Sequence, residues 1–173
     1  LRGIFRYLKR VDLYNAIAGI HAPRIKKIIP VLTDSEIQKI YDCINEGKLS
    51  LRDAAIVIVG LSCGIRACDL IKLKLSDIDW NNETIQFKQS KTGNVVCLPL
   101  TERVGNAIFR YITEERPKVS NNHLFLRSFA PYVPFADHAA CHSIVSKAFR
   151  IAGINNNGRM SGMHMLRHNT AST

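Results

Sequence analysis

Three short stretches carry side chains that could do chemistry together. In HMLRHNTAST, His164 to Thr173, the residues His164, Arg167 and His168 recur at i, i+3 and i+4, so on a helix all three face one way. A guanidinium stays protonated and presents a planar fork of donors, which suits a pair of phosphate oxygens. With Ser161 as cap, the start of that helix would add free N–H groups that attract the same kind of ligand. The ordinary alternative is a solvated or salt-bridged helix face. In GLSCGIRACDLIKLKLSDID, Arg66 follows Gly64 between two apolar segments, where a charge needs a partner. Asp69, three residues on, is the internal candidate; the functional one is an external phosphate, with Asp69 holding the side chains in place. In QSKTGN, Lys91 stands at a turn. Such a tip is usually only polar, but a mobile hairpin can deliver an ammonium into a site. His164/His168 and His138/His142 are both i, i+4 pairs that could suggest a metal. No third-ligand pattern such as HExxH accompanies them, so neither a metal nor another cofactor is expected.

The elements that must position these residues read as mainly helical, with one small antiparallel sheet inserted. LRGIFRYLKRVDLYNAIAGI, with an apolar stripe of Leu1, Ile4, Phe5 and Leu8, predicts one helix, the last of a preceding domain (1–21). A basic linker bounded by Pro23 and Pro30 follows (22–32). A new domain (33–173) opens at a capping box, Thr33 with Glu36, leading a helix whose stripe is Ile37, Ile40, Tyr41 and Ile44 and whose stop is Gly47. LRDAAIVIVGLSCG is apolar on nearly every face and predicts the central buried helix. IRACDLIKL predicts a short helix that buries Leu70, Leu73 and Leu75. ETIQF and VVCLPL, rich in β-branched and aromatic residues, predict a hairpin around the Lys91 turn, with a possible short strand in 77–80 before it. The remainder predicts a helix from a Thr101 cap to Pro117, a loop through 120–135, a helix ended by Gly153, and the helix of His164.

The chain has 173 residues, 46% of them hydrophobic, which predicts a packed core. Its longest apolar run, Ala54 to Leu61, is too short to span a membrane, and no signal-peptide pattern opens it. Lys and Arg number 24 against 14 Asp and Glu, a net charge of +10, which favours a polyanionic partner, most simply nucleic acid. The five cysteines form no CxxC and predict reduced, buried thiols and a cytoplasmic setting.

Taken in order, GLSCGIRACDLIKLKLSDIDW, QSKTGNVVCLPL and HMLRHNTAS resemble the tyrosine recombinase, or phage integrase, family. Arg66, Asp69 and Leu70 fit the pattern around the family's first arginine. Lys91 fits its hairpin lysine, and His164, Leu166, Arg167 and His168 fit its second arginine box. The N-terminal helix and linker also resemble the end of the family's core-binding domain. The resemblance implies metal-free cleavage and rejoining of DNA through a 3′-phosphotyrosine. Arg66 and Arg167 would stabilise the charge on the phosphorane, Lys91 would protonate the leaving 5′ oxygen, and His164 would take the tyrosine proton or bind the phosphate. Asp69 and His168 would support them. Asn169 stands where the family often has Thr or Ser. A further His or Trp and the nucleophilic tyrosine would follow downstream. Tyr7, Tyr14, Tyr41, Tyr111 and Tyr132 match no nucleophile position, so the expectation is a fragment, cut at both ends, that holds a phosphate without cleaving it.

The implied partners are double-stranded DNA and other protomers, a tetramer on DNA in the family, in a bacterial or phage-host cytoplasm and with no membrane. A non-catalytic or decayed relative that only binds DNA is the alternative.

Overall fold

The computed structural model describes residues 2–18, 31–155, 159 and 162–172. The linker reading falls mostly on residues outside that set, as does Ser161.

The N-terminal segment forms two helices where one is expected, α1 (Arg2–Tyr7) and α2 (Val11–Ala18). Lys9 breaks them at φ 55, a left-handed conformation that ends a helix. Ile4, Tyr7, Leu8 and Val11 stand exposed on this pair.

The second region begins at α3 (Asp34–Asn45), and its capping box is present as read. Glu36 N–H donates to Thr33 Oγ1 at 3.3 Å, and Thr33 N–H donates to Glu36 Oε2 at 2.9 Å. Helix α4 (Leu51–Cys63) is capped by Ser50 and is buried from Asp53 to Leu61. An apolar helix on all faces must be surrounded, and α4 is packed by α6 (Glu102–Arg110), α7 (Ala139–Ile151) and α8 (Met163–Ser172). Gly60 lets α8 come close: a Cβ there would lie 2.8 Å from Leu166 Cδ1.

After α4 the predicted short helix shrinks to one turn, α5 (Ala67–Leu70). Leu70 and Leu73 are buried as expected, but Leu75 is only half-buried, because it opens a 3₁₀ turn, Leu75–Asp77. Strands β1 (Ile78–Asp79), β2 (Thr84–Lys88) and β3 (Val95–Pro99) form an antiparallel sheet in the order β1-β2-β3. Ile85 pairs with Leu98 and Phe87 with Val96, which puts Ile85 and Phe87 in the core. The same alternation turns Cys97 outward, so that thiol is exposed rather than buried.

Thr101 takes the N-cap position of α6 but makes no side-chain cap bond. The helix continues as a π turn, Tyr111–Glu115, where Tyr111 stacks on Phe125 at 5.6 Å and its hydroxyl accepts from Leu126 N–H at 3.2 Å. The 120–135 loop carries short extended pieces: Leu75 N–H donates to Asn122 O at 2.8 Å and Leu124 N–H to Leu73 O at 2.7 Å. This pairing stitches the loop beside the turn after α5. Among the described residues no helix is long and apolar enough to cross a membrane.

Candidate phosphate-binding site

The site is built at the C-terminal end of α4. The last carbonyls of a helix have no partners within it and carry its negative pole. Here α8 supplies them. Arg167 Nη1 donates to Gly64 O at 2.6 Å, and Thr170 Oγ1 donates to Leu61 O at 2.8 Å. Gly64 ends α4 in the left-handed region at φ 57, and a Cβ there would sit 3.3 Å from Thr170 Cβ. Glycine therefore serves both the turn and the close seating of α8.

Two residues beyond that turn, Arg66 has extended backbone at the N-cap of α5. Its Nη1 lies 3.9 Å from Asp69 Oδ2, with the Arg66 side chain 30% exposed and that of Asp69 1%. The expected internal pair is thus present as an ion pair, but neither of those two buried atoms makes a hydrogen bond. Asp69 Oδ1 instead accepts Ser90 N–H at 2.8 Å, and Lys72 Nζ donates to Ser90 Oγ at 3.1 Å. One buried carboxylate so joins the first arginine to the hairpin tip. Ser90 and Lys72 were not singled out from sequence; Ser90 is next to Lys91, and adjacency was the only signal available.

The tip itself is tied by Gly93 N–H to Gln89 O and Gln89 N–H to Asn94 O, both 2.9 Å. Lys91 is exposed, makes no hydrogen bond or ion pair among the described residues, and lines neither recess described below. The structure anchors its neighbour beside Arg66 but leaves the ammonium outside.

Arg66 and Arg167 border two recesses. The smaller, about 220 Å³, is also lined by Asp69, Gln89 and Thr170. The larger, about 500 Å³, is also lined by His164, His138 and His142. Against two guanidiniums, Asp69 is, among the described residues, the one carboxylate lining either recess, so the pair is an anion site by charge. His164 is exposed, and its ring lies 6.3 Å from that of half-buried His168, at 25°. Asn169, the next residue on α8, is buried. Cys63 also borders the smaller recess, but burial pushes its thiol up to about 11, so it is not a nucleophile near neutral pH. A larger hollow of about 730 Å³, between α3, α4 and α6, shares no residue with either recess and holds none of the predicted site residues.

The structure brings Arg66, Asp69, His164 and Arg167 into one neighbourhood, with His168 on the same helix. The sequence alone does not assign His138 and His142 to that neighbourhood; their i, i+4 spacing is visible, but its connection to Arg66 is tertiary.

The sequence and the fold are both similar to those of known proteins. An integrase/recombinase of Sinorhizobium fredii is 31% identical over 164 residues, covering 94% of this chain and 38% of that protein. A tyrosine recombinase XerC of Staphylococcus saprophyticus is 25% identical, covering 99% of this chain and 58% of the relative. The chain therefore spans well under two thirds of either. The crystal structure of the XerH site-specific recombinase bound to its difH substrate shares the fold, with a TM-score of 0.70 at 22% identity over 89% of this chain and 45% of that one. The model of the phage integrase family matches residues 30–173, and the chain belongs to that family.

Proposed function

We propose that this chain is the phosphate-binding part of a site-specific DNA recombinase or integrase. The observation that carries the reading is the pair of arginines, held by Asp69 and by the Gly64 carbonyl, that faces two recesses with a surplus of positive charge.

In this reading a scissile phosphodiester sits between Arg66 and Arg167. A tyrosine oxygen attacks phosphorus, the P–O5′ bond breaks, and the 3′ phosphate stays on the enzyme as a phosphotyrosine. The two guanidiniums neutralise the nonbridging oxygens as negative charge accumulates on them. His164, exposed on the first turn of α8, accepts the tyrosine proton or donates to the same phosphate. Lys91 protonates the departing O5′. Its anchored but exposed position fits a hairpin that swings inward when DNA is bound, with Ser90 and Asp69 as the pivot. Asp69 orients Arg66, and His168 supports His164 from the next turn. No metal enters the scheme.

The attacking hydroxyl is not supplied by these residues. None of the five tyrosines lines either recess. Tyr111 is buried in the core with its hydroxyl engaged, and Tyr41 lies under the Arg103 guanidinium at 4.2 Å. Residues 33–173 correspond in this reading to the catalytic domain and 1–21 to the end of a core-binding domain, consistent with the exposed apolar side chains of α1 and α2. Duplex DNA and further protomers on it, as a tetramer, are the partners, in the cytoplasm.

The test is strand cleavage of a suicide DNA substrate by the full-length protein that carries these residues. Arg66→Ala and Arg167→Ala are each expected to lower the cleavage rate by roughly 10²- to 10³-fold, and Lys91→Ala to slow it unless the leaving oxygen is replaced by sulfur. Unchanged cleavage in all three variants refutes the assignment. Salt-sensitive duplex binding with no covalent product from the unaltered protein selects the non-catalytic alternative.

A further inference from the structure

The larger recess has a second wall that the reaction above does not employ. It comes from the start of α7, where His138 and His142, one turn apart, face Arg66, His164 and Arg167 across the same space. His138 is already engaged: its Nδ1 lies 2.7 Å from Asp137 Oδ1. His142 is exposed and makes no hydrogen bond or ion pair among the described residues.

Its ring is held nonetheless. Gly162, at φ +75, stands directly before α8, and a Cβ there would overlap His142 Nδ1 and lie 3.1 Å from Cγ and 3.2 Å from Cε1. The imidazole thus rests by its Nδ1 edge on the glycine that opens the helix of His164 and Arg167, leaving Nε2 as the nitrogen turned from that contact. Among the described residues no carboxylate lines this recess, so the positive charge of Arg66 and Arg167 is not neutralised within it. A space of about 500 Å³ is also larger than one phosphate group fills. A charged, multi-phosphate backbone satisfies both conditions.

Resting on the reading that this recess takes DNA phosphate, we infer that His142 is a further binding residue for the DNA backbone. It donates Nε2–H to a nonbridging oxygen of a phosphate adjacent to the one held by Arg66 and Arg167. The contact with Gly162 fixes its ring, so little side-chain freedom is lost on binding.

The experiment measures binding of a mixed-sequence DNA duplex by the full-length protein across a salt series, with thermal unfolding as the control for folding. His142→Ala is expected to weaken binding by roughly three- to tenfold, the worth of one hydrogen bond to a charged group. His142→Gln, which keeps a donor, should lose less. His142→Arg should bind at least as tightly as the unaltered protein, which a purely packing role against Gly162 would not allow. If His142→Ala and His142→Arg weaken binding equally, or if His142→Ala binds normally while Arg66→Ala does not, the inference fails and the phosphate reading stands. If Arg66→Ala and Arg167→Ala bind as well as the unaltered protein, both fall.

Discussion

Asp53 and Asp69 are each 3% exposed, and each lies beside an arginine, yet they sit in opposite electrostatic settings. Asp53 Oδ1 accepts from Arg52 Nε and Nη2 at 3.0 and 2.7 Å, and its Oδ2 accepts from Lys147 Nζ at 3.1 Å. Arg52 donates further to Leu126 O at 3.2 Å and lies over the Phe135 ring. Every polar atom of that carboxylate is used, and the cluster ties α4 to α7. Asp69 has one oxygen bonded to a backbone N–H and the other without a hydrogen bond, and the guanidiniums near it outnumber it. A buried charge that is fully paired holds a fold together; one that leaves cations underpaired around an open recess prepares a place for an anion.

The largest expected effect separates the two clusters by stability. Asp53→Ala leaves the largely buried Arg52 and the exposed Lys147 without their anion and should cost about 2 kcal/mol, read from urea unfolding; DNA affinity of the folded protein should hold. Asp69→Asn reverses the pattern. The remaining amide oxygen still accepts from Ser90, so stability should fall by only about 1 kcal/mol, while cleavage by the full-length protein should fall roughly 10- to 100-fold as Arg66 and the hairpin lose their common anchor. Equal stability losses in the two variants, with no change in cleavage for Asp69→Asn, would erase the distinction. Gly64→Ala should cost about 1–2 kcal/mol through its left-handed φ and should also weaken DNA binding, since the new methyl presses on Thr170 of α8.

The smallest effect belongs to another closed pair, Glu36 with Arg159. Hydrogen bonds from Arg159 Nη2 at 2.6 Å and Nη1 at 3.0 Å hold the Glu36 carboxyl down at about 2, against an ordinary value of 4.5. A lowered folded-state pKa means that the pair stabilises fully above pH 4.5 and that its contribution is lost as pH falls toward about 2. Unfolding free energies from urea titrations across that window should drop for the unaltered protein by about 1 kcal/mol more than for Glu36→Gln, whereas DNA binding near neutral pH should not respond to Glu36→Gln.

What was legible in the sequence follows the range of the interaction concerned. The Thr33–Glu36 box, the Arg66–Asp69 spacing, the hairpin and the uniformly apolar α4 are set by neighbours a few residues apart, and all four appear in the structure. Cys97 was also legible in principle, since strand alternation places it outward with Val95 and Pro99; its apolar surroundings in sequence concealed this. The break at Lys9 was not legible, because lysine has no marked preference for a left-handed φ and nothing local demands one. Nor was the π turn at Tyr111, which is set by stacking on Phe125 from a different segment. The site divides in the same way. Its residue types were readable as motifs, but the seating of Arg167 on Gly64, the anchoring of Ser90 by Asp69 and the entry of His142 into the recess are products of packing between distant elements.

The bond from Arg167 to Gly64 spans 103 residues of sequence. A protein is made from its N-terminus onward, so α4, the turn after it and Arg66 exist well before their partner does. Until α8 has been synthesised and has docked on the end of α4, the Leu61 and Gly64 carbonyls stand unfilled and half of the cationic pair is missing. A ribosome-bound chain that has reached the hairpin, or even α7, is therefore unable to grip a phosphate in this site. The cationic pair is completed late, with the arrival of a single helix.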